Sequence, residues 1–128
     1  MSNFTIEIIS PTNSILKMEA REVILPSFEG EIGILKDHIP IITFLRPGII
    51  KIVGNSDEEF FVEDGTVEFV NNNLLVLTST AQKLSDMRKE NLNLIITEIE
   101  KIINKDPLKD KEKYLLSYKL ETLKNINQ

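Results

Sequence analysis

Few side chains in this chain are of the types that do chemistry. Among its 128 residues there is one histidine, His38, and no cysteine. An imidazole works as a general base or a metal ligand only with partners: a nucleophile and an orienting carboxylate, or further ligands. No Ser/His/Asp or Cys/His arrangement is legible around His38. A structural zinc site of four Cys or His ligands is excluded by count. His38 stands two positions before Pro40 and reads as a surface histidine at a turn. The acidic groups Glu58-Glu59, Glu63-Asp64 and Glu68 offer paired carboxylates for acid–base work, but strand alternation directs most of them to solvent. Gly30 and Gly33 in GEIG lack the third glycine of a dinucleotide loop and the Gly-Lys-Ser/Thr of a P-loop, so they read as turn geometry. Lys101, Lys105, Lys109, Lys111, Lys113, Lys119 and Lys124 are scattered along the C-terminal part. They form a solvated helix face, or a surface that docks on an acidic protein.

The elements that carry these residues fall into two kinds. Phe4, Ile6 and Ile8 alternate with Thr5 and Glu7, the period of a half-buried strand. Met18, Ala20 and Glu22 alternate likewise and run through Val23-Ile24-Leu25 to Pro26. Ser10-Pro11-Thr12-Asn13, Pro47-Gly48, Gly54-Asn55-Ser56-Asp57 and Asn71-Asn72-Asn73 are turn clusters. Ile49 to Val53, Phe60-Phe61-Val62, Val67 to Val70 and Leu74 to Thr78 are strands, and Asp64-Gly65 carries a hairpin signal. Short strands at regular spacing predict an antiparallel β-sandwich over residues 1–84.

From residue 85 to 128 the period changes. Leu92, Ile95, Ile96, Ile99, Ile102 and Ile103 form one apolar stripe at helical spacing, with Ser85 or Asp86 as cap. Asn104-Lys105-Asp106-Pro107 breaks the helix. Asp106 is the expected N-cap and Pro107 the expected first residue of a second helix carrying Leu108, Leu116, Leu120 and Leu123. The predicted class is therefore α+β: an N-terminal antiparallel β-sandwich followed by a C-terminal antiparallel two-helix hairpin. Two helices of this size are marginal alone, so the hairpin needs a docking surface, either the sandwich or a partner.

Composition narrows the function classes. The net charge of −5 argues against bare nucleic acid and anionic membrane surfaces as partners. Charge is uneven: residues 1–84 hold 6 Lys or Arg against 12 Asp or Glu, and residues 85–128 hold 9 against 8. No stretch approaches the roughly 20 apolar residues of a membrane span, and no signal or transit peptide is legible. The protein is expected to work in the compartment where it is made.

One stretch carries a family resemblance. Leu25 to Gly48, reading LPSFEGEIGILKDHIPIITFLRPG, is similar to the signature of ATP synthase epsilon subunits. The passage Phe60-Phe61-Val62, Asp64-Gly65, Val67-Glu68 and the strand Leu74 to Ala81 resemble the same family, as does the order of sandwich and then hairpin. The resemblance implies a non-catalytic subunit of the central rotor stalk of the proton-translocating ATP synthase. It implies binding to the gamma subunit and the c-ring, and to the alpha/beta head through an extended hairpin that restrains ATP hydrolysis. It places Glu29, Glu31 and His38 on the part facing the c-ring. It also implies a peripheral position on the cytoplasmic face of the bacterial inner membrane, with the stromal side of a plastid thylakoid as the alternative.

Some members of that family bind ATP through Ile/Leu-Asp-x-x-Arg-Ala at the start of the hairpin. The matching stretch here is Leu84-Ser85-Asp86-Met87-Arg88-Lys89. Leu84 and Arg88 match, Ser85 holds the Asp position with Asp86 one place late, and Lys89 replaces the small residue. On a helix one residue is a turn of about 100°, so Asp86 does not substitute, and no cofactor is expected. Two rival readings remain: a free-standing binding module whose hairpin docks another protein, and a small enzyme using His38 with a carboxylate.

Overall fold

The computed structural model describes residues 3–105 and 110–126, the side chains of 104, 105, 110 and 111 excepted. Ten strands lead the chain: β1 (Phe4–Ile9), β2 (Ser14–Ala20), β3 (Glu22–Ser27), β4 (Gly30–Leu35), β5 (Ile41–Leu45), β6 (Gly48–Val53), β7 (Glu58–Val62), β8 (Gly65–Val70), β9 (Asn73–Leu77) and β10 (Gln82–Lys83). A single 3-10 turn, Leu84–Asp86, leads to α1 (Lys89–Lys105) and α2 (Asp110–Ile126). The expected helical break residues Asp106 and Pro107, with Leu108 and Lys109, lie outside the described residues.

The strands form two layers. One runs β10-β7-β6-β3 with β4 on the far side of β3; the other runs β5-β8-β9-β1-β2. They join at one corner, where Ser27 of β3 faces Leu45 of β5. Between them the alternating apolar residues close a core around Phe4, Ile6, Leu25, Ile50, Val67 and Phe69. Phe4 meets Phe69 edge-on at 5.6 Å, the favoured aromatic geometry. The pairing is antiparallel except that β1 lies parallel to β9.

Three local expectations differ from the structure. Asp64-Gly65 is not a hairpin turn: β7 pairs with β6 and β10, while β8 pairs with β5 and β9. At this point the chain crosses between layers. The Thr78 hydroxyl donates to the Asp64 carbonyl (2.7 Å), and the Glu63 amide donates to the Thr80 hydroxyl (3.0 Å). An Asp-Gly between apolar runs carries the same local signal for both geometries, and only the neighbouring strands decide between them. Secondly, of the two glycines in GEIG only Gly30 adjoins a turn, opening β4 opposite Ser27 at φ 116°; Gly33 lies inside β4, paired with Ile24. Thirdly, Ser85 and Asp86 belong to the 3-10 turn, and α1 starts only at Lys89.

The helices pack against each other and against the sandwich. Leu92 and Ile96 from the start of α1 share an apolar cluster with Leu123 and Ile126 from the end of α2, so the two run antiparallel. Phe61 of β7, only 3% exposed, is the strand residue in that cluster. Of the stripe, Leu92, Ile96 and Ile99 are buried, Ile95 and Ile103 half-buried, and Ile102 exposed. Burying Leu92, Ile96, Ile99 and Phe61 removes apolar surface worth about 2 kcal/mol per large side chain, which seats the pair on β7.

Candidate interaction surfaces

The described surface carries an exposed apolar face and a set of aromatic and ionic contacts. On β5, Ile42 and Phe44 point outward and are 70% and 62% exposed, while Thr43 and Leu45 point into the core. On the same outer face, Phe44 pairs with Thr66 of β8, and Thr66 pairs with Leu77 of β9, itself 46% exposed. Phe28, in the turn between β3 and β4, leans over this face because its amide donates to the Phe44 carbonyl (3.1 Å). Ile9 and Pro11 complete a groove of about 1070 Å³ whose polar rim includes Asp64 and Ser79. Among the described residues, no Lys, Arg or His lines it. An apolar sheet face left to water is the usual mark of a surface built to be covered.

A second cluster holds α2 to the sandwich. The Arg46 guanidinium, in the turn between β5 and β6, sits over the Tyr118 ring at 4.1 Å, a cation–π contact. Tyr114 meets Tyr118 edge-on at 4.7 Å, and Phe28 lies nearly parallel to Tyr114 at 6.2 Å. Lys119 pairs with Glu63. Glu63 therefore meets a cation instead of simply facing solvent. Lys124 approaches Glu100 of α1 at 4.0 Å, whereas Lys101 and Lys113 are exposed. The side chains of Lys105, Lys109 and Lys111 lie outside the described ones. Glu58 pairs with Lys83 at 3.3 Å, and Glu59, Asp64 and Glu68 are exposed.

Tyr114 has a shifted ionisation. The Tyr114 hydroxyl is held above the ordinary value of 10.0, first by its hydrogen bond to Tyr118, then by desolvation and by the charge of Tyr118; Arg46 pulls the other way.

Glu29, Glu31 and His38 lie along β4 and its two ends. Glu29 is exposed in the turn before β4, its amide donating to the Ser27 hydroxyl (3.2 Å). Glu31 is exposed on β4 opposite Pro26, lining a cleft shared with Arg46, Lys51, Tyr118 and Glu121. His38 is half-buried beyond the other end of the strand. Its Nδ1 donates to the Ile39 carbonyl (2.7 Å), and its ring meets Phe69 edge-on at 5.9 Å. That turn is tied to the β8–β9 turn: the Asp37 amide donates to Asn72 Oδ1 (2.7 Å), and Asn72 Nδ2 donates to the Asp37 carboxylate (2.9 Å). Six strand residues at about 3.3 Å each put some 20 Å between Glu29 and His38, so the three residues share an edge and do not meet at a point. Among the described residues, no three His, Cys, Asp or Glu side chains come together as metal ligands do.

Leu84, Asp86 and Arg88 occupy the joint between the two parts. Leu84 packs on the Phe61 cluster, Asp86 and Arg88 are exposed, and the Arg88 carbonyl accepts from the Leu92 amide (3.0 Å). Residues 84–86 are 3-10 and Met87 is extended, at φ −87° and ψ 119°. The rotation of about 100° per residue of a regular α-helix therefore does not describe this stretch.

The groove and the tyrosine clasp went unread in the sequence, yet a signal existed. Ile41-Ile42-Thr43-Phe44-Leu45 is apolar on both strand faces, the pattern of a strand that is covered twice.

The arrangement defines a class before any particular protein: a strand domain with an uncovered apolar face and a clasped helical arm. Residues 3–84 match the model of the ATP synthase delta/epsilon chain β-sandwich domain. The chain is 48% identical over 126 residues to the ATP synthase epsilon chain of Pelagibacter ubique (strain HTCC1062), covering 97% of each. It is 30% identical to that of Afipia carboxidovorans, covering all of this chain and 94% of the relative. In fold it is similar, at a TM-score of 0.85 and 18% identity, to a chain of the Euglena gracilis mitochondrial ATP synthase F1/c-ring structure, over 98% of this chain and 82% of that one. A chain of the Tetrahymena thermophila mitochondrial ATP synthase central stalk and c-ring matches at a TM-score of 0.69 and 16% identity, over 97% of this chain and 96% of that one. The chain belongs to the ATP synthase epsilon-chain family. No helix among its described residues is long and apolar enough to cross a membrane.

Proposed function

We propose that this chain is a non-catalytic rotor subunit in the central stalk of a proton-translocating ATP synthase. It would transmit ion-driven rotation to the catalytic head and restrain ATP hydrolysis with its helical arm. The observation that carries the reading is the uncovered apolar face of Phe28, Ile42, Phe44 and Leu77, on a chain whose full-length relatives are ATP synthase epsilon chains. Side chains of this size left in water cost about 1.5–3 kcal/mol each, a cost that a permanent partner removes. That partner is the gamma subunit. The c-ring meets the free edge of β4, where Glu29, Glu31 and His38 supply hydrogen-bonding groups to polar loops. The alpha and beta subunits of the head meet the arm once it leaves the sandwich.

The arm is suited to such a movement. It is seated by one buried cluster around Phe61 and by a surface clasp of two tyrosines, one guanidinium and one ion pair. Contacts of this kind break and re-form as a unit, which is what a two-state element requires. The chain works at the cytoplasmic face of the bacterial inner membrane as a peripheral part of the complex; the stromal side of a plastid thylakoid fits the same reading. No cofactor takes part, and the exposed Leu84–Arg88 joint is not assigned to ATP.

The test is co-expression with the gamma subunit from the same source, followed by size-exclusion chromatography with mass measurement. A stable one-to-one complex is expected. Two separate folded species would remove the assignment. Truncation after residue 86 in the assembled enzyme is expected to leave assembly intact and raise ATP hydrolysis; unchanged hydrolysis would remove the inhibitory role alone.

A further inference from the structure

Phe28 belongs to two surfaces at once. One side of its ring lies nearly parallel to Tyr114 of α2. The remainder lines the groove beside Phe44 and Leu77, and the ring stays 42% exposed. The backbone fixes the turn that carries the ring, though not the ring's rotamer. The Phe28 amide donates to Phe44, and the Arg46 amide donates to the Pro26 carbonyl at 3.0 Å. The turn that carries Phe28 and the turn that carries Arg46 are thus strapped together. The series Phe28, Tyr114, Tyr118, Arg46 is a continuous chain of ring contacts, one stacked, one edge-on and one cation–π, that starts at the groove wall and ends on the same strap.

We infer that Phe28 couples occupancy of the groove to seating of the arm, in the positive sense. This rests on the reading that the groove is covered by the gamma subunit. The groove itself states what the covering segment should present. Its lining is apolar with Asp64 at the rim and, among the described residues, no basic side chain, on a strand domain with twice as many acidic as basic residues. The complementary segment offers aliphatic or aromatic side chains flanked by Lys or Arg. Such a segment packs against the free part of the Phe28 ring and fixes its rotamer. A fixed ring is a better platform for Tyr114 than one that must be ordered each time the arm docks. By linkage, the seated arm tightens binding in the groove by the same factor.

The test uses the full chain, alone and bound to gamma, with amide hydrogen exchange read along α2. In the wild type, gamma is expected to slow α2 exchange at least about fivefold, the lower end of ordinary coupling. Phe28→Ala should still bind gamma through Phe44, Leu77 and Ile9, but its α2 exchange should no longer respond. Phe28→Leu, which keeps an apolar wall and removes the stacking ring, should behave as Phe28→Ala does and guards against a folding defect. Tyr114→Ala should weaken gamma binding by the factor measured at α2, and should have no effect in the Phe28→Leu background. An equal response to gamma in wild type and Phe28→Leu would overturn the coupling. So would faster α2 exchange on binding, which would mean that the occupant draws Phe28 away from Tyr114. A failure of wild-type chain and gamma to associate would overturn the rotor reading together with the coupling, whereas association without any change at α2 overturns the coupling only.

Discussion

The ring of Pro26 fills the space where a side chain on Gly48 would begin. A Cβ built on Gly48 would lie 2.5 Å from Pro26 Cβ and 2.9 Å from its Cγ. Neither atom can yield, because Pro26 sits in β3 with its carbonyl held by Arg46. Gly48→Ala is therefore expected to destabilise the sandwich by about 1–3 kcal/mol, the usual cost of overpacking. Pro26→Ala in the same chain should recover part of that loss by removing Cγ, although the contact with Cβ remains. Urea unfolding of the two single variants and the double variant measures the coupling; strict additivity would mean that the contact is not the cause.

Arg46 should matter more through its plane than its charge. Its guanidinium lies over the Tyr118 ring, and its Nη1 donates to the Pro47 carbonyl at 3.3 Å. Arg46→Lys keeps the charge and loses the flat stacking surface. It is expected to loosen α2 by about 0.5–1 kcal/mol, read as faster α2 exchange with β-strand exchange unchanged.

The pair Lys119–Glu63 ties the middle of α2 to the crossing between layers. Both side chains are partly exposed, at 25% and 34%, so the pair contributes at most about 1 kcal/mol and is screened by salt. Raising salt from low to molar concentration should speed α2 exchange in the wild type. The same change should have little effect on α2 in Glu63→Gln. Equal salt responses would show that the pair does not hold the arm.

Phe61 links the two parts most directly, since it is a strand residue buried within the helical cluster. Truncation after residue 86 should leave the sandwich folded, because its core around Phe4, Leu25 and Phe69 lies between the layers. It should uncover Phe61 and promote self-association. Phe61→Ser in the truncated chain is expected to restore a monomer in sedimentation analysis. Persistent association would place the sticky surface elsewhere, with the Phe44 groove the first place to look.

Seating of the arm should depend on alkaline pH. Tyr114 has a value above 10.0 in the folded chain, chiefly through its hydrogen bond to Tyr118, then through desolvation and the charge of Tyr118. The folded state therefore keeps the proton longer than the unfolded one. The contribution of Tyr114 is present below pH 10 and is lost as pH rises through the folded value. Arg46 opposes the shift, and Lys113 and Glu121 stand beside the ring on α2. Tyr114→Phe removes this titration, so α2 exchange in wild type and variant should diverge only above about pH 10 once the intrinsic rates are corrected.

Much of this protein was legible in its sequence. The two-residue period of Phe4-Ile6-Ile8 and the helical stripe of Leu92, Ile96 and Ile99 arise from local geometry, and both appear as the spacing predicts. Alternation also explains why Glu59 and Glu68 face water. The sequence by itself determined the class of fold, the order of strands and then helices, and, through the Leu25–Gly48 stretch, the family. The tertiary structure decided the rest, because each remaining feature is a meeting of residues far apart in the chain. Asp64-Gly65 crosses between layers instead of closing a hairpin, since β7 and β8 find other neighbours. Glu29 and His38, nine residues apart, are separated by the length of a strand. Phe28, Arg46, Tyr114 and Tyr118 show no common pattern along the sequence, yet they form one chain of contacts. Periodicity records which side of its own element a residue takes; which distant residue waits on that side is settled only when the elements pack.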